Sequence, residues 1–218
     1  MRGPILLESA TMPVMTDDEF FEWYGPWSPL DVEGVQRLLA DFDAPWWIVG
    51  GHAIERFTGV HRPHEDVDIV VLSSDAPRLV QVLARTYHVW ANASGTLTPL
   101  MDGRVDLPPD TVQLWVRRSA GSPWEADFGV ALERDGRWVW RHDPTLPMTL
   151  DELTWVADDG VRFARPEIVL AHKARWRQPK DDLDLAAAWP LLSADAQAWL
   201  LATVRRMYPG HPWLDRLS

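Results

Sequence analysis

Trp46-Trp47-Ile48-Val49-Gly50-Gly51-His52-Ala53-Ile54-Glu55, followed by Arg62-Pro63-His64-Glu65-Asp66-Val67-Asp68-Ile69-Val70-Val71-Leu72, is the stretch on which the fold turns. The apolar run over 46–49 reads as a buried strand, and the run from Val67 to Leu72 as a second. Between them His52 to Phe57 reads as a short helix that ends near Gly59. Gly50 and Gly51 therefore follow a strand and open a helix. Glycine lets the backbone come close to a ligand. A helix N-terminus adds free N–H groups and a dipole that favours anions. Asp66 and Asp68 stand two apart on the second strand, so both carboxylates share one face while Val67 and Ile69 turn to the core. Two carboxylates on one side repel each other unless a cation lies between them. Hard oxygen ligands of this kind suit Mg²⁺, which also binds substrate phosphates. Fifteen residues separate Gly51 from Asp66. The pattern thus places a grip for phosphates and a grip for metal on neighbouring strands, and points to chemistry on a nucleoside triphosphate.

Working outward, Ser28 or Asp31 can cap a helix whose inner face is Val35, Leu38, Leu39 and Phe42, and Pro45 stops it. Residues 1–27 read as irregular, broken by Pro4, Pro13, Gly25 and Pro26. Asp75 caps a helix with Leu79, Val82 and Leu83 inside. His88–Trp90, Val112–Val116, Trp124–Leu132 and Trp138–Trp140 are further strands. Short strands after a βαβ-like opening predict a mixed sheet. From Pro166 the pattern turns helical, with Pro166 at a first helical position. Further helices are expected over Asp181–Trp189 and from Ser193 onward. The turn Asp158-Asp159-Gly160 suggests a division into a sheet domain, 1–160, and a C-terminal helical segment, 161–218, packed on it.

Phosphoryl or nucleotidyl transfer with two metals needs a third carboxylate. Asp127, in Trp124-Glu125-Ala126-Asp127-Phe128, is the choice, because it lies on a strand among apolar residues where a carboxylate is costly without a partner. It would bind one metal and accept the proton of an acceptor hydroxyl. Glu125, on the same strand face, competes for the role, and Asp102 and Asp106 in a Gly/Pro-rich loop are weaker choices. Asp127-Phe128-Gly129 also spells the kinase metal motif, but no GxGxxG loop and no HRD loop precede it. Walker A, HExxH and GxSxG patterns are absent as well.

Among the basic residues, Arg62 can hold a phosphate oxygen in a bidentate manner, or pair with Glu65 at the surface. His64 is expected to serve structurally. The chain has two lysines, Lys173 and Lys180, against nineteen arginines. Lys180 is expected to pair with Asp184 at i, i+4, and Lys173 is a candidate to reach a triphosphate.

Composition narrows the partners. A net charge of −11 opposes nucleic-acid binding, so no nucleic acid is expected. It suits metal cations and cationic small molecules. No apolar run approaches the ~20 residues that cross a bilayer, and no secretory signal is visible at the N-terminus. No cysteine occurs, which excludes disulfides, thiolate nucleophiles and Cys-type zinc sites and fits a cytoplasmic protein. Fourteen tryptophans are scattered along the chain without a period and are expected to fill the core or line a groove.

Taken together, Trp47 to Glu55, Gly59 and Arg62 to Ile69 resemble the aminoglycoside and lincosamide nucleotidyltransferases of the DNA polymerase β-like superfamily. Arg165 to Leu170, Lys173-Ala174, Lys180-Asp181, Asp184 and Pro209 to Leu214 resemble the aminoglycoside 2″-adenylyltransferase-like family within it. The resemblance implies an α+β fold, a mixed sheet with flanking helices, that holds Mg-ATP or another Mg-NTP. It matches Gly50 and Gly51 to the phosphate-holding glycines, Asp66 and Asp68 to the metal ligands, and Asp127 more loosely to the third acid. His52, Arg62 and Lys173 complete the candidate nucleotide contacts. Departures are His52, where relatives often carry tryptophan or serine, and Glu55, where aspartate is common. The expected activity moves a nucleoside monophosphate to a hydroxyl of a small molecule. The competing readings are a non-catalytic binding or regulatory module of the same fold, and a DxD glycosyltransferase.

Overall fold

The computed structural model describes residues 16–100 and 105–217. Asp102, one of the weaker acid candidates, lies outside them, as do Pro4 and Pro13. The elements are numbered here in chain order. Thr16 opens α1 (Asp17–Tyr24) with a capping box, its hydroxyl accepting from the Glu19 amide while Glu19 accepts from the Thr16 amide. Residues 1–27 were expected to be irregular throughout, and α1 corrects that for its own span. Asp31 caps α2 (Val32–Leu38) by accepting from the Gly34 amide at 2.7 Å. Then come β1 (Trp46–Ile48), α3 (Gly50–Thr58), β2 (Ile69–Leu72), α4 (Ala76–Leu83), β3 (His88–Ala93), β4 (Thr96–Pro99), β5 (Thr111–Arg117) and β6 (Trp124–Ala131). They are followed by β7 (Glu133–Arg134), β8 (Arg137–Trp140), β9 (Asp143–Met148), α5 (Leu150–Leu153), β10 (Thr154–Val156) and β11 (Arg162–Ala164). The chain ends in α6 (Pro166–Ala174), α7 (Pro179–Ala188), α8 (Ala194–Met207) and α9 (Pro212–Leu217). Two compact units result: Met1–Trp47 with Glu65–Leu150, and Ile48–His64 with Asp151–Ser218.

The first unit carries a mixed sheet, as the sequence predicts. β2 runs parallel to β6 with Ile69 opposite Phe128. β6 is antiparallel to β5, β5 to β3, and β3 to β4. The β3–β4 hairpin turns at Ser94 and Gly95, whose φ of 51° and 81° give the local twist that suits strands joined by two residues. A smaller antiparallel sheet of β7, β8 and β9 adds Trp138 and Trp140 to the interior. One face of the main sheet is filled by Ile69, Val71, Val89, Leu114, Val116, Phe128 and Val130, all at most 5 % exposed. Leu79, Val80 and Leu83 of α4 are buried too, so Val80 takes the inner place that helical spacing assigns to Val82. Asp66 and Asp68 sit just ahead of β2 rather than on it. The alternation still holds, for Val67 and Ile69 are buried and the two aspartates are half-buried.

In the second unit β10 and β11 pair antiparallel, and Ile48 lies parallel to Phe163. Its helices begin where residue chemistry allows. Pro166 and Pro179 occupy first-turn positions that need no N–H. The Ser193 hydroxyl accepts from the Ala196 amide at 3.2 Å. Ile54, Leu153, Leu170, Leu185, Leu200 and Trp213 form the core of this unit, each at most 2 % exposed.

Phe128 is the largest side chain on the buried face of β6 with no exposed surface. Truncation, Phe128→Ala, is expected to cost about 3–5 kcal/mol of unfolding free energy. A urea titration followed by far-UV circular dichroism checks this.

Candidate active site

The register Ile69 opposite Phe128 brings the residue ahead of each, Asp68 and Asp127, level on adjacent segments. Asp66, Asp68, Glu125 and Asp127 line one recess of the first unit. Its other wall is apolar: Trp27, Pro29, Leu30 and Val35. This wall is held by backbone bonds along β6, with Trp124 donating to the Pro26 carbonyl, Ser28 to that of Trp124 and Leu30 to that of Glu125, each at 2.9 Å. These bonds use the edge of β6 that β2 leaves free before Phe128.

Within the recess Asp127 is the unusual group. Its Oδ2 accepts a 2.7 Å bond from Gln113 Nε2, while its Oδ1 is buried with no hydrogen-bond partner in the structure. Burial first, and then the charges of Asp68 and Asp66, push its carboxyl well above the ordinary carboxylate range, against the opposing bond from Gln113. Glu125 differs: Arg118 Nε lies 3.3 Å from its Oε1. The donor set is all oxygen, three of its acids interact electrostatically, and one buried oxygen lacks a partner. Those features fit a hard divalent cation. Among the described residues no group of three His, Cys, Asp or Glu side chains is gathered closely enough to hold a metal ion as it stands. The acids share a recess without forming a closed ligand cluster.

The second unit holds the glycine pair. Gly50 has a φ of 68°, a conformation that side chains disfavour. Val49 precedes α3 and its side chain makes no cap, so the helix starts without one. A Cβ on Gly51 would lie 2.2 Å from Arg62 Nη2 and 2.6 Å from His64 Nδ1. Sequence reading assigned this pair to phosphates; the structure adds a packing reason for Gly51 that the motif does not reveal.

His64 and Arg62 are both fixed. The His64 ring stacks on His52 at 4.0 Å between centroids and its Nε2 lies 2.7 Å from Glu55 Oε2. His61 Nδ1 lies 2.9 Å from the other Glu55 oxygen. Burial acts to raise the Glu55 carboxyl. The bonds from His61, His64 and the Arg62 amide outweigh it and bring the carboxyl down to about 2. Arg62 grips Asp184 in bidentate fashion, at 2.8 and 3.0 Å, instead of pairing with Glu65. Lys173 Nζ, not Lys180, meets Asp184 at 2.9 Å, and it also meets Asp181 at 2.7 Å. Two cations and two anions thus balance. Burial opposes the Asp184 charge, but Arg62 and Lys173 hold its carboxyl below the usual range.

A mixed sheet with acids at the start of one parallel pair, and a glycine-led helix after a strand, are features of the nucleotidyltransferase fold. Residues 31–95 match the family model described as aminoglycoside-2''-adenylyltransferase. That span contains Gly50, Gly51, Arg62, Asp66 and Asp68. The crystal structure of ANT(2'')-Ia in complex with adenylyl-2''-tobramycin is similar over 80 % of this chain and 95 % of that one, at 14 % identity and a TM-score of 0.51. A solution structure of antibiotic-resistance factor ANT(2'')-Ia covers 81 % and 90 %, at 17 % identity and a TM-score of 0.50. No match is found among curated proteins. The chain is therefore aminoglycoside-2''-adenylyltransferase-like over residues 31–95 and shares the fold of ANT(2'')-Ia. Those neighbours are nucleotidyltransferase enzymes.

Gly51→Ala is expected to cost about 1–3 kcal/mol, because neither Arg62 nor His64 can move without losing a partner. Thermal unfolding against wild type measures it. The lowered Glu55 carboxyl contributes stability above its unfolded pKa of about 4.3, and that contribution is lost as pH falls from there toward 2. Chemical denaturation at pH 5 and pH 3 should show a smaller acid-induced loss in Glu55→Gln than in wild type.

Proposed function

We propose that this chain moves an adenosine monophosphate group from Mg-ATP to a hydroxyl of a small cationic molecule of the aminoglycoside kind. The observation that carries the reading is the recess shared by Asp66, Asp68 and Asp127, with a buried Asp127 oxygen lacking a protein partner. The family match over the segment that supplies the first two acids supports it.

In the proposed reaction the acceptor oxygen attacks the α-phosphorus and a new P–O bond forms. The bond between the α-phosphorus and the bridging oxygen breaks, and pyrophosphate leaves with the electron pair. The hydroxyl proton passes to Asp127, the general base. Asp66, Asp68 and Asp127 would hold the divalent ions of a two-metal mechanism, which would supply charge neutralisation at the attacking and leaving oxygens. The apolar wall of Trp27, Pro29 and Leu30 lowers the local dielectric and strengthens every charge interaction in the recess. In the second unit, the amides that open α3 at Gly50 and Gly51 are the proposed phosphate contacts, with His52 beside them. Arg62 and Lys173 remain candidate contacts whose charge already serves Asp181 and Asp184.

The test is pyrophosphate release from Mg-ATP with a panel of aminoglycosides, tobramycin among them, with mass spectrometry of the acceptor for an added AMP group. No pyrophosphate release with any nucleoside triphosphate, or turnover of UDP-sugars instead, would overturn the proposal. Asp66→Asn and Asp68→Asn are each expected to abolish turnover while the fold persists. Asp127→Asn should lower turnover by roughly 10²–10⁴-fold, the usual contribution of a general base, and retain nucleotide binding. It should also melt at a higher temperature than wild type in EDTA, since it removes a crowded, buried carboxyl.

A further inference from the structure

Asp127 does not stand alone on its sheet face. Gln113 of β5 donates to its Oδ2 at 2.7 Å, and Asn92 of β3 donates to Gln113 Oε1 at 2.9 Å. Asn92 and Gln113 are direct partners in the β3–β5 register, and Asp127 pairs with Trp115, two residues on from Gln113. The three polar side chains therefore form one line across three adjacent strands. Gln113 is 2 % exposed and Asn92 4 %. Burying two carboxamides where apolar residues would pack costs free energy unless their bonds are made.

The line runs in one direction. Gln113 turns its NH₂ to Asp127 and its oxygen to Asn92, the arrangement that suits a carboxylate bound to a cation, which only accepts. Asn92 then presents its own NH₂ to Gln113, and its Oδ1 is left buried without a hydrogen-bond partner. Each carboxamide is engaged in one orientation. The consequence falls on Asp127: Oδ2 is occupied by the sheet, and Oδ1 is the oxygen with no protein partner. Glu125, the competing acid, is engaged by Arg118 from a side chain that is 61 % exposed, so it has no comparable anchor.

We propose that Gln113, backed by Asn92, is a positioning residue that fixes the Asp127 carboxylate so that Oδ1 alone is presented to the divalent cation and the acceptor hydroxyl. The inference rests on the nucleotidyl-transfer reading above. Gln113 touches neither substrate nor metal and acts only through Asp127. Removing its donor frees the carboxylate to rotate and to turn Oδ1 away from the recess. Loss of a hydrogen-bonding partner behind a metal ligand typically costs about 10–100-fold in metal affinity or activity.

The experiment measures Mn²⁺ binding by electron paramagnetic resonance, in the presence of a non-hydrolysable ATP analogue, for wild type, Asp127→Asn, Gln113→Met and Asn92→Leu. Thermal unfolding confirms that each variant is folded at the temperature used. Gln113→Met keeps the length of the side chain and cannot donate. It should weaken Mn²⁺ binding by about 10–100-fold and lower kcat with the KM for the acceptor unchanged. Asn92→Leu, which leaves Gln113 in place but releases its oxygen, should shift both readouts in the same direction by less. If Gln113→Met does not fold, Asn92→Leu alone decides. Asp127→Asn weakening Mn²⁺ binding while the folded Gln113 or Asn92 variant binds it as wild type does would overturn the positioning role. Wild-type Mn²⁺ binding in Asp127→Asn would instead overturn the metal assignment beneath it.

Discussion

Crowding of negative charge around Asp127 is the constraint to which the first unit answers. A buried carboxyl beside Asp68 and Asp66 is unfavourable when charged, and burial together with those two charges raises its proton affinity. The arrangement persists because the sheet leaves the chain no alternative. Ile69 and Val71 must face the interior opposite Phe128 and Val130, and the parallel register then fixes the residues just ahead of each strand pair. A slip of one residue would turn Asp127 to the apolar face and Phe128 away from it. Apolar packing thus holds the acids where their mutual repulsion would not keep them.

The second unit solves the opposite problem, that of placing cations. Arg62 and Lys173 are partly buried and would be costly alone. Asp184 accepts from both, and Asp181 takes a further bond from Lys173 while also capping α7 by accepting from the Gln178 amide. Such a network is weak evidence for net stability, since desolvation offsets much of the attraction. Its stronger consequence is geometric. A bidentate guanidinium has one orientation, and that orientation brings Nη2 against the bare Cα of Gly51. The glycine is therefore required by the side chain as much as by any ligand.

Local patterns in the sequence revealed much of this. The alternation Val67, Ile69, Val71 reports the β2 face, Asp31 and Ser193 act as caps, and Pro166 starts its helix. Asp66, Asp68 and Asp127 were legible as a set because two same-face carboxylates and a third among apolar residues demand a common explanation. What stayed hidden is of two kinds. β10 and β11 carry three residues each, too few for a period to emerge, β9 is disguised by Pro144 and Pro147, and α1 is announced only by the pair Thr16 and Glu19. Partners distant in sequence are the second kind. Nothing near Arg62 indicates that its carboxylate lies 122 positions away at Asp184, so Glu65 was the nearer choice. Gln113 fell inside an expected strand and Asn92 just past the end of another, and a polar residue at either place is normally solvent-facing. Two amides at paired positions of a hairpin-rich sheet are a usable signal only once the register is known.

The recess sets its acids against an apolar wall, which changes the field a cation would meet there. Four acids line it, and Glu125 is paired with Arg118. Surface charge alone would draw any cation and would be screened within about 8 Å at physiological salt. The segment Pro26–Leu30 changes that, because its backbone bonds to β6 seat Trp27, Pro29 and Leu30 directly against the acids. An apolar wall displaces water and its screening from one side, so a cation that enters is held by stronger fields but must give up part of its own hydration. The Trp124 indole, donating to the Tyr24 carbonyl at 2.7 Å, anchors this wall from the far end. The Trp124 ring itself lies against Trp27 and Trp115, so the wall and the aromatic cluster behind it are one packed unit.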